Sequence, residues 1–373
     1  MLSWPAALTP GVTRQHRRAV DPTGIEPVPR ALRHPTARNE QAASVLRSGP
    51  MDLPTLSELE NASQVVYAAM PPTPQYAWPL LSVRCGARVV VKHENHTPVG
   101  AFKVRGGLVY LDWLARAHPE VRGVITATRG NHGQSVGFAA RRQSLRAVVV
   151  APRGNSPEKN AAMRALGVEL VEHGSDFQDA TEHAMRLAAS EGLWRVPSFD
   201  PLLVRGVGTY ALEMLRAVPD LERIYVPIGL GSGICGVLAA RAALGRTVEV
   251  VGVTSTGAPG YARSFASGRP EAHPVTTQVA DGLAVRTPDP EALAVIRHGV
   301  ARIIEVTDTE VEAAMAALFT DTHNVAEGAG AAGLAALIRE GEANRGRTVG
   351  FVCTGGNVDA ARFAAVLSRH GGR

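Results

Sequence analysis

From Ala87 onward, short runs rich in valine and isoleucine alternate with longer alanine-rich stretches of helical period. Strands are predicted at 88–92, 124–127, 147–151, 169–172, 223–228, 248–253, 302–306 and 348–353. Between them, helices are predicted over stretches that include 104–117, 134–142, 157–166, 177–190 and 309–320. The apolar runs are continuous rather than alternating, which is how a strand reads when both its faces are covered. Strand–helix alternation of this kind implies an α/β fold with parallel sheets and helices on both faces. Ligands of open α/β sheets bind beyond the carboxyl ends of the strands, so the loops there are the first place to look for chemistry.

The chain has 373 residues, 45% of them hydrophobic, enough for a substantial core and two lobes. No apolar run approaches the roughly eighteen residues of a membrane span, so no membrane partner is expected. The net charge of +5 comes from arginines interspersed with acids, not from a dense basic run with interleaved aromatics, and no nucleic-acid partner is expected. Cys85, Cys235 and Cys353 are far apart and show no metal-binding spacing, which reads as reduced thiols in a cytosolic protein. Residues 1–50 differ from the rest, with seven arginines, three acids and no apolar periodicity. They are expected to be a disordered leader or the product of a misplaced start, with a self-sufficient domain beginning at Met51.

Four strand ends lead into loops with chemical content. Val124–Ala127 is followed by Thr128-Arg129-Gly130-Asn131-His132-Gly133-Gln134, a hydroxyl, an amide and an imidazole set around glycines. Such a loop can grip a carboxylate; equally, Asn131 can be a helix N-cap with His132 in the first turn. Gly229-Leu230-Gly231-Ser232-Gly233 can present successive backbone N–H groups to an anion at a helix N-terminus, or can be a tight turn that lets a helix pack closely. It fits neither a Walker motif nor a GxGxxG fingerprint. Thr354-Gly355-Gly356-Asn357 offers a neutral hydroxyl at a strand end.

The fourth loop carries a lysine, in Ala101-Phe102-Lys103-Val104-Arg105-Gly106. Only three lysines occur, Lys92, Lys103 and Lys159, against thirty-six arginines. Arginine cannot form a Schiff base, so a retained lysine is a candidate for chemistry that needs a primary amine. Lys92 and Lys159 weaken the argument if they are solvated surface residues. His93 and His96 flank Glu94 and are expected to shape the loop before Lys103 rather than bind zinc.

Together these segments resemble the serine/threonine dehydratase (threonine ammonia-lyase) group of fold-type-II pyridoxal-phosphate enzymes. The likeness runs from about Leu53 to Leu367 and includes Ala280-Asp-Gly-Leu-Ala-Val285 and Glu327-Gly-Ala-Gly-Ala331. It implies a tryptophan synthase β-like fold, two open parallel-sheet domains with pyridoxal 5'-phosphate between them. The larger domain would comprise 51–124 and 203–373, and the smaller 125–202. By the same resemblance Lys103 forms the Schiff base and shuttles protons, Phe102 packs against the ring, and Asn131 bonds the ring oxygen. Gly229, Leu230, Gly231, Ser232 and Gly233 hold the phosphate, Thr354 faces the ring nitrogen, and Thr128, Gly130, Asn131 and His132 bind the substrate carboxylate. A hydroxyl cannot keep that nitrogen protonated, so the ring is a weaker electron sink and loss of a β-substituent is favoured over transamination.

The implied reaction is β-elimination from L-threonine, L-serine or a related β-hydroxy amino acid, giving a 2-oxo acid and ammonia. A 3-hydroxyaspartate dehydratase, a β-replacement enzyme and a non-catalytic ligand sensor are the alternatives. Arg129 replaces the small residue usual in dehydratases and the serine of serine racemases, which argues against racemisation; it either selects an acidic substrate or points outward. Thr254 and Gly260 stand where relatives carry cation-binding acids, so no metal site is expected. The resemblance further implies a cytoplasmic homodimer without an appended regulatory domain.

Overall fold

The computed structural model describes residues 52–371, and the expectations for 1–50 concern residues outside that range. Among the described residues there are ten strands: β1 (Gln75–Ala77), β2 (Arg88–His93), β3 (Gly123–Ala127), β4 (Arg146–Ala151), β5 (Glu169–Glu172), β6 (Trp194–Arg195), β7 (Arg223–Pro227), β8 (Glu249–Ser255), β9 (Arg302–Val306) and β10 (Thr348–Cys353). All eight predicted strands are among them. The two others, β1 and β6, are three and two residues long, too short to form an apolar run.

The strands form two sheets, of order β1-β2-β10-β7-β8-β9 and β5-β4-β3-β6. Every pairing is parallel except that of the edge strand β1 with β2. The chain leaves the larger sheet after β2 through the helix Lys103–Ala117, builds the smaller sheet, and returns through the helix Pro201–Ala217 to β7. Helices cover both faces of each sheet, as continuous apolar strands require.

Two features place the helix Lys103–Ala117. It lies backbone to backbone against the helix Pro201–Ala217: a Cβ on Gly206 would stand 2.3 Å from the Arg105 carbonyl oxygen, and one on Gly106 would stand 2.9 Å from that of Leu203. Only glycine permits this approach. Below its first turn, Arg105 is fully buried and donates to both oxygens of Glu94 (2.8 and 3.0 Å), both of Glu213 (2.6 and 3.1 Å), and the hydroxyls of Thr73 and Thr209. Lys92 completes the network, donating to Glu213 at 2.5 Å, the Gln75 side chain at 2.8 Å and the Thr73 carbonyl at 2.7 Å. Two buried cations thus meet two buried carboxylates, the condition under which interior charge is tolerated.

Lys92 is therefore an interior residue and not a solvated one. His93 and His96 stack at 5.0 Å in the turn that follows β2. The first ring accepts from Trp78 Nε1 at 2.9 Å, the second meets Asn324 Oδ1 at 2.6 Å, and burial lowers the His93 pKa to about 4. Both imidazoles are thus engaged in shaping the loop that leads to Lys103.

Candidate active site

Because β2, β10 and β7 are parallel neighbours, with His93 opposite Cys353, the loops at their carboxyl ends emerge side by side. The lysine loop and the loop after β10 are stitched together. Ala101 bridges Gly355, Phe102 N–H donates to the Thr354 carbonyl at 3.0 Å, and Gly356 N–H donates to that of Gly100 at 2.9 Å. Phe102 reaches on to the loop after β7, its ring edge 3.6 Å from where a Cβ on Gly233 would lie, and Tyr210 ties the two by an edge contact to Phe102 and a 3.0 Å bond to the Gly233 carbonyl.

Lys103 is the first residue of its helix, and its amine lies 5.1 Å from the Phe102 ring centre. Burial lowers its pKa to about 8, although Glu327 pulls the other way. An amine in that range keeps a minor uncharged fraction near neutrality, far larger than an ordinary lysine's, and that fraction can act as nucleophile or base. His132 is nearby and buried, its ring held by the backbone of Val196 and Pro197 and its Nε2 without a partner. Desolvation, with the Lys103 charge adding to it, drives its pKa to about 3, so it is a neutral imidazole.

Asn131 is not a helix N-cap. It is the first residue of the helix Asn131–Arg142, which begins three residues before the predicted start, and Gly130 is the cap. The side chain looks away from its helix: Nδ2 donates to Glu327 Oε1 at 2.6 Å, and Oδ1 accepts from Asn357 Nδ2 at 2.8 Å. Thr128 is buried and accepts from Gly130 N–H at 3.0 Å, closing the loop on itself. Arg129 is exposed and points outward.

The segment after β7 is a tight turn leading into a helix. Gly231 has φ +108°, and a Cβ there would collide with Ala292 at 2.6 Å, so it is a tight turn. The helix Ser232–Ala243 then starts, and among the described residues none accepts a hydrogen bond from the N–H groups of Ser232, Gly233 or Ile234. Leu230 contributes its carbonyl to Tyr261 at 2.8 Å, and Gly229 abuts Gly282, where a Cβ would lie 2.5 Å from the carbonyl oxygen. Three N–H groups without an acceptor at a helix N-terminus are available to an anion.

Glu327, which the sequence marks only as the start of a glycine- and alanine-rich segment, is the residue that joins the loops. It occupies the N-cap position of the helix Gly328–Arg339, makes no side-chain capping bond, and is buried. Burial raises its pKa to about 7, against the pull of Lys159 and Asn131. Lys159 is also interior: its amine lies 2.6 Å from Asp281 and 3.6 Å from Glu327. The sequence signal was a carboxylate at the head of a helix of alanine and glycine, whose small side chains let backbone meet backbone; a Cβ on Gly330 would stand 2.3 Å from the Gly355 carbonyl oxygen.

The chain as a whole is similar to known proteins. The family model for pyridoxal-phosphate dependent enzymes matches residues 66–355. An L-threonine ammonia-lyase of Geobacter sulfurreducens is 36% identical over 290 residues, 77% of this chain and 72% of the relative. The catabolic L-threonine dehydratase TdcB of Escherichia coli is 33% identical over 76% of this chain and 87% of its own. The solved threonine deaminase isoform 2 of Solanum lycopersicum superposes with a TM-score of 0.77 at 27% identity, covering 87% of this chain and 98% of the other. With a half-buried, desolvated lysine at the meeting point of its strand-end loops and a family match over most of its length, the chain belongs to the pyridoxal-phosphate-dependent enzymes of fold type II.

Proposed function

We propose that the chain catalyses β-elimination from L-threonine, L-serine or a related β-hydroxy amino acid, releasing a 2-oxo acid and ammonia. The observation that carries this reading is the half-buried Lys103, set where the strand-end loops meet, with the pKa of its amine lowered to about 8 by desolvation. The residues present fit pyridoxal phosphate: three unpartnered N–H groups at Ser232, Gly233 and Ile234 suit a phosphate, with Gly229, Leu230 and Gly231 shaping the turn before them. Asn131 uses one amide hydrogen on Glu327 and keeps the other for a ring oxygen. When bound, the cofactor supplies the electron sink that makes an α-proton acidic and lets a β-substituent depart.

Lys103 Nζ is the group that takes the α-proton and returns protons later, and its low pKa leaves it free to do so near neutrality. Phe102 packs against the ring. Thr128, Gly130, Asn131 and His132 hold the substrate carboxylate at the N-terminus of the helix Asn131–Arg142, where the helix dipole favours an anion. His132 is neutral there and does not compete for protons. Thr354, buried beside the lysine loop, brings a neutral hydroxyl, which favours elimination over transamination.

By likeness to the family the larger part is 51–124 with 203–373 and the smaller 125–202; the presence of two sheets supports two parts, although the 124/125 boundary falls inside β3, and closure of the smaller part would exclude water from Lys103. A cytoplasmic homodimer is the assembly expected by likeness to the family; among the described residues no helix is long and apolar enough to cross a membrane. The test is 2-oxo acid release from L-threonine, L-serine and threo-3-hydroxyaspartate, with Lys103→Ala as control. Turnover lost in the control supports the lyase. No product from any of the three, with the cofactor bound, rejects it in favour of β-replacement or sensing. Because Arg129 is exposed, threonine is expected to outrank hydroxyaspartate, and the reverse order would give Arg129 a role in specificity.

A further inference from the structure

Lys159 lies outside the loops that carry the proposed chemistry, on the helix Pro157–Ala165 that follows β4, yet it is 9% exposed. Its stem crosses the substrate loop: a Cβ on Gly130 would meet Lys159 Cδ at 2.7 Å. Its amine then reaches Asp281 at 2.6 Å and Glu327 Oε2 at 3.6 Å, while Glu327 Oε1 takes the 2.6 Å bond from Asn131.

The orientation of the Asn131 amide depends on that chain of contacts. An ionised carboxylate only accepts, so it selects the NH₂ edge of Asn131; a protonated one can donate and accept the opposite edge. Asn357 donates to Asn131 Oδ1 at 2.8 Å and also to the Val99 carbonyl at 2.9 Å, so with Glu327 ionised both ends of the amide are determined. The groups that face Glu327 are Lys159 and Lys103, which favour its charge, Asp281, which opposes it, and the buried Cys353 thiol. In the proposed reaction Lys103 changes its bonding and its charge. Lys159 is the cation that stays, its own charge favoured by Asp281 and Asp359.

We infer that Lys159 is a positioning residue of this active site: its ammonium holds Glu327 as an acceptor for Asn131 and so orients the Asn131 amide toward the bound cofactor. The inference rests on the function proposed above. It makes Lys159 more than a tie between Gly130 and Asp281, because its influence runs through the protonation of Glu327.

The test uses the holoenzyme with Lys159→Met, Lys159→Arg, Asp281→Asn and Glu327→Gln. Two quantities are followed against pH: the visible absorbance of the bound cofactor without substrate, and kcat/KM. In Lys159→Met the acid limb of both curves should move up by about one pH unit or more, a roughly tenfold loss at a fixed pH below the limb. Lys159→Arg should restore it, and Asp281→Asn, which removes a charge opposing ionisation of Glu327, should not raise it and should shift it less than half as far. Glu327→Gln, which keeps the shape and removes the titration, should abolish the limb and serves if Lys159→Met does not fold. Curves in Lys159→Met or Glu327→Gln that match the parent overturn the inference. A shift in Asp281→Asn equal to that in Lys159→Met overturns it too, making Lys159 a latch. If no amino acid is turned over, the proposed function fails while the absorbance arm still decides on Lys159.

Discussion

Replacing Arg105 by methionine is expected to destabilise the protein more than any surface charge change. The guanidinium makes six hydrogen bonds, all to buried or nearly buried groups. In its absence Glu213 retains Lys92 and Tyr67, but Glu94 keeps only the Thr73 hydroxyl, at 2.6 Å, and is fully buried. Removing one partner of a buried pair costs about 3–5 kcal/mol, chiefly through the charge left behind. Unfolding entropy of about 2.1 cal/mol/K per residue over roughly 320 described residues gives about 0.7 kcal/mol/K, so the melting temperature should fall by about 4–7 °C. Thermal unfolding of the holoenzyme followed by circular dichroism measures this. Adding Glu94→Gln to Arg105→Met should recover about 1 kcal/mol or more, because the stranded charge is gone while a polar partner for Thr73 remains. A fall below about 1.5 °C, or a double variant less stable than Arg105→Met alone, would refute the reasoning. Because Arg105 sits two residues beyond Lys103, kcat should fall as well.

Lys103→Met should stabilise the apoprotein at pH 7. Its folded pKa, about 8, lies below the ordinary 10.5, so the folded state bears a charge penalty that is complete below pH 8 and disappears as pH rises to 10.5. The variant should therefore be more stable than the parent at pH 7, by about 3 kcal/mol, with the gap closing toward pH 10.5; equal melting curves at pH 7 would contradict it. Gly330→Ala should cost about 1–3 kcal/mol and weaken cofactor binding, since its Cβ would press on the Gly355 backbone beside Thr354. Equilibrium dialysis of the cofactor checks this, and unchanged affinity would show that the helix Gly328–Arg339 can shift without moving the loop.

The strands were legible because each needs only a local run of apolar residues, and all eight predicted ones exist, whereas β1 and β6 owe their pairing to neighbours distant in sequence. The same division holds in the site. Lys103, the glycine-rich turn at 229–233 and the Thr128–Gln134 loop announce themselves by residue type and spacing within a few positions. Lys92 and Lys159 read equally well as solvated, because burial is not a local property. What the sequence by itself determined is the α/β layering, the placement of four chemical loops at strand ends and the identity of the amine. Only the tertiary structure decided which groups those loops face. Asn131 meets Glu327 across 196 positions and Lys159 meets Asp281 across 122. The parallel register of β2, β10 and β7 brings strand ends together and shuts out water. It is this desolvation, not the residues' own chemistry, that draws Lys103 down to about 8 and Glu327 up to about 7.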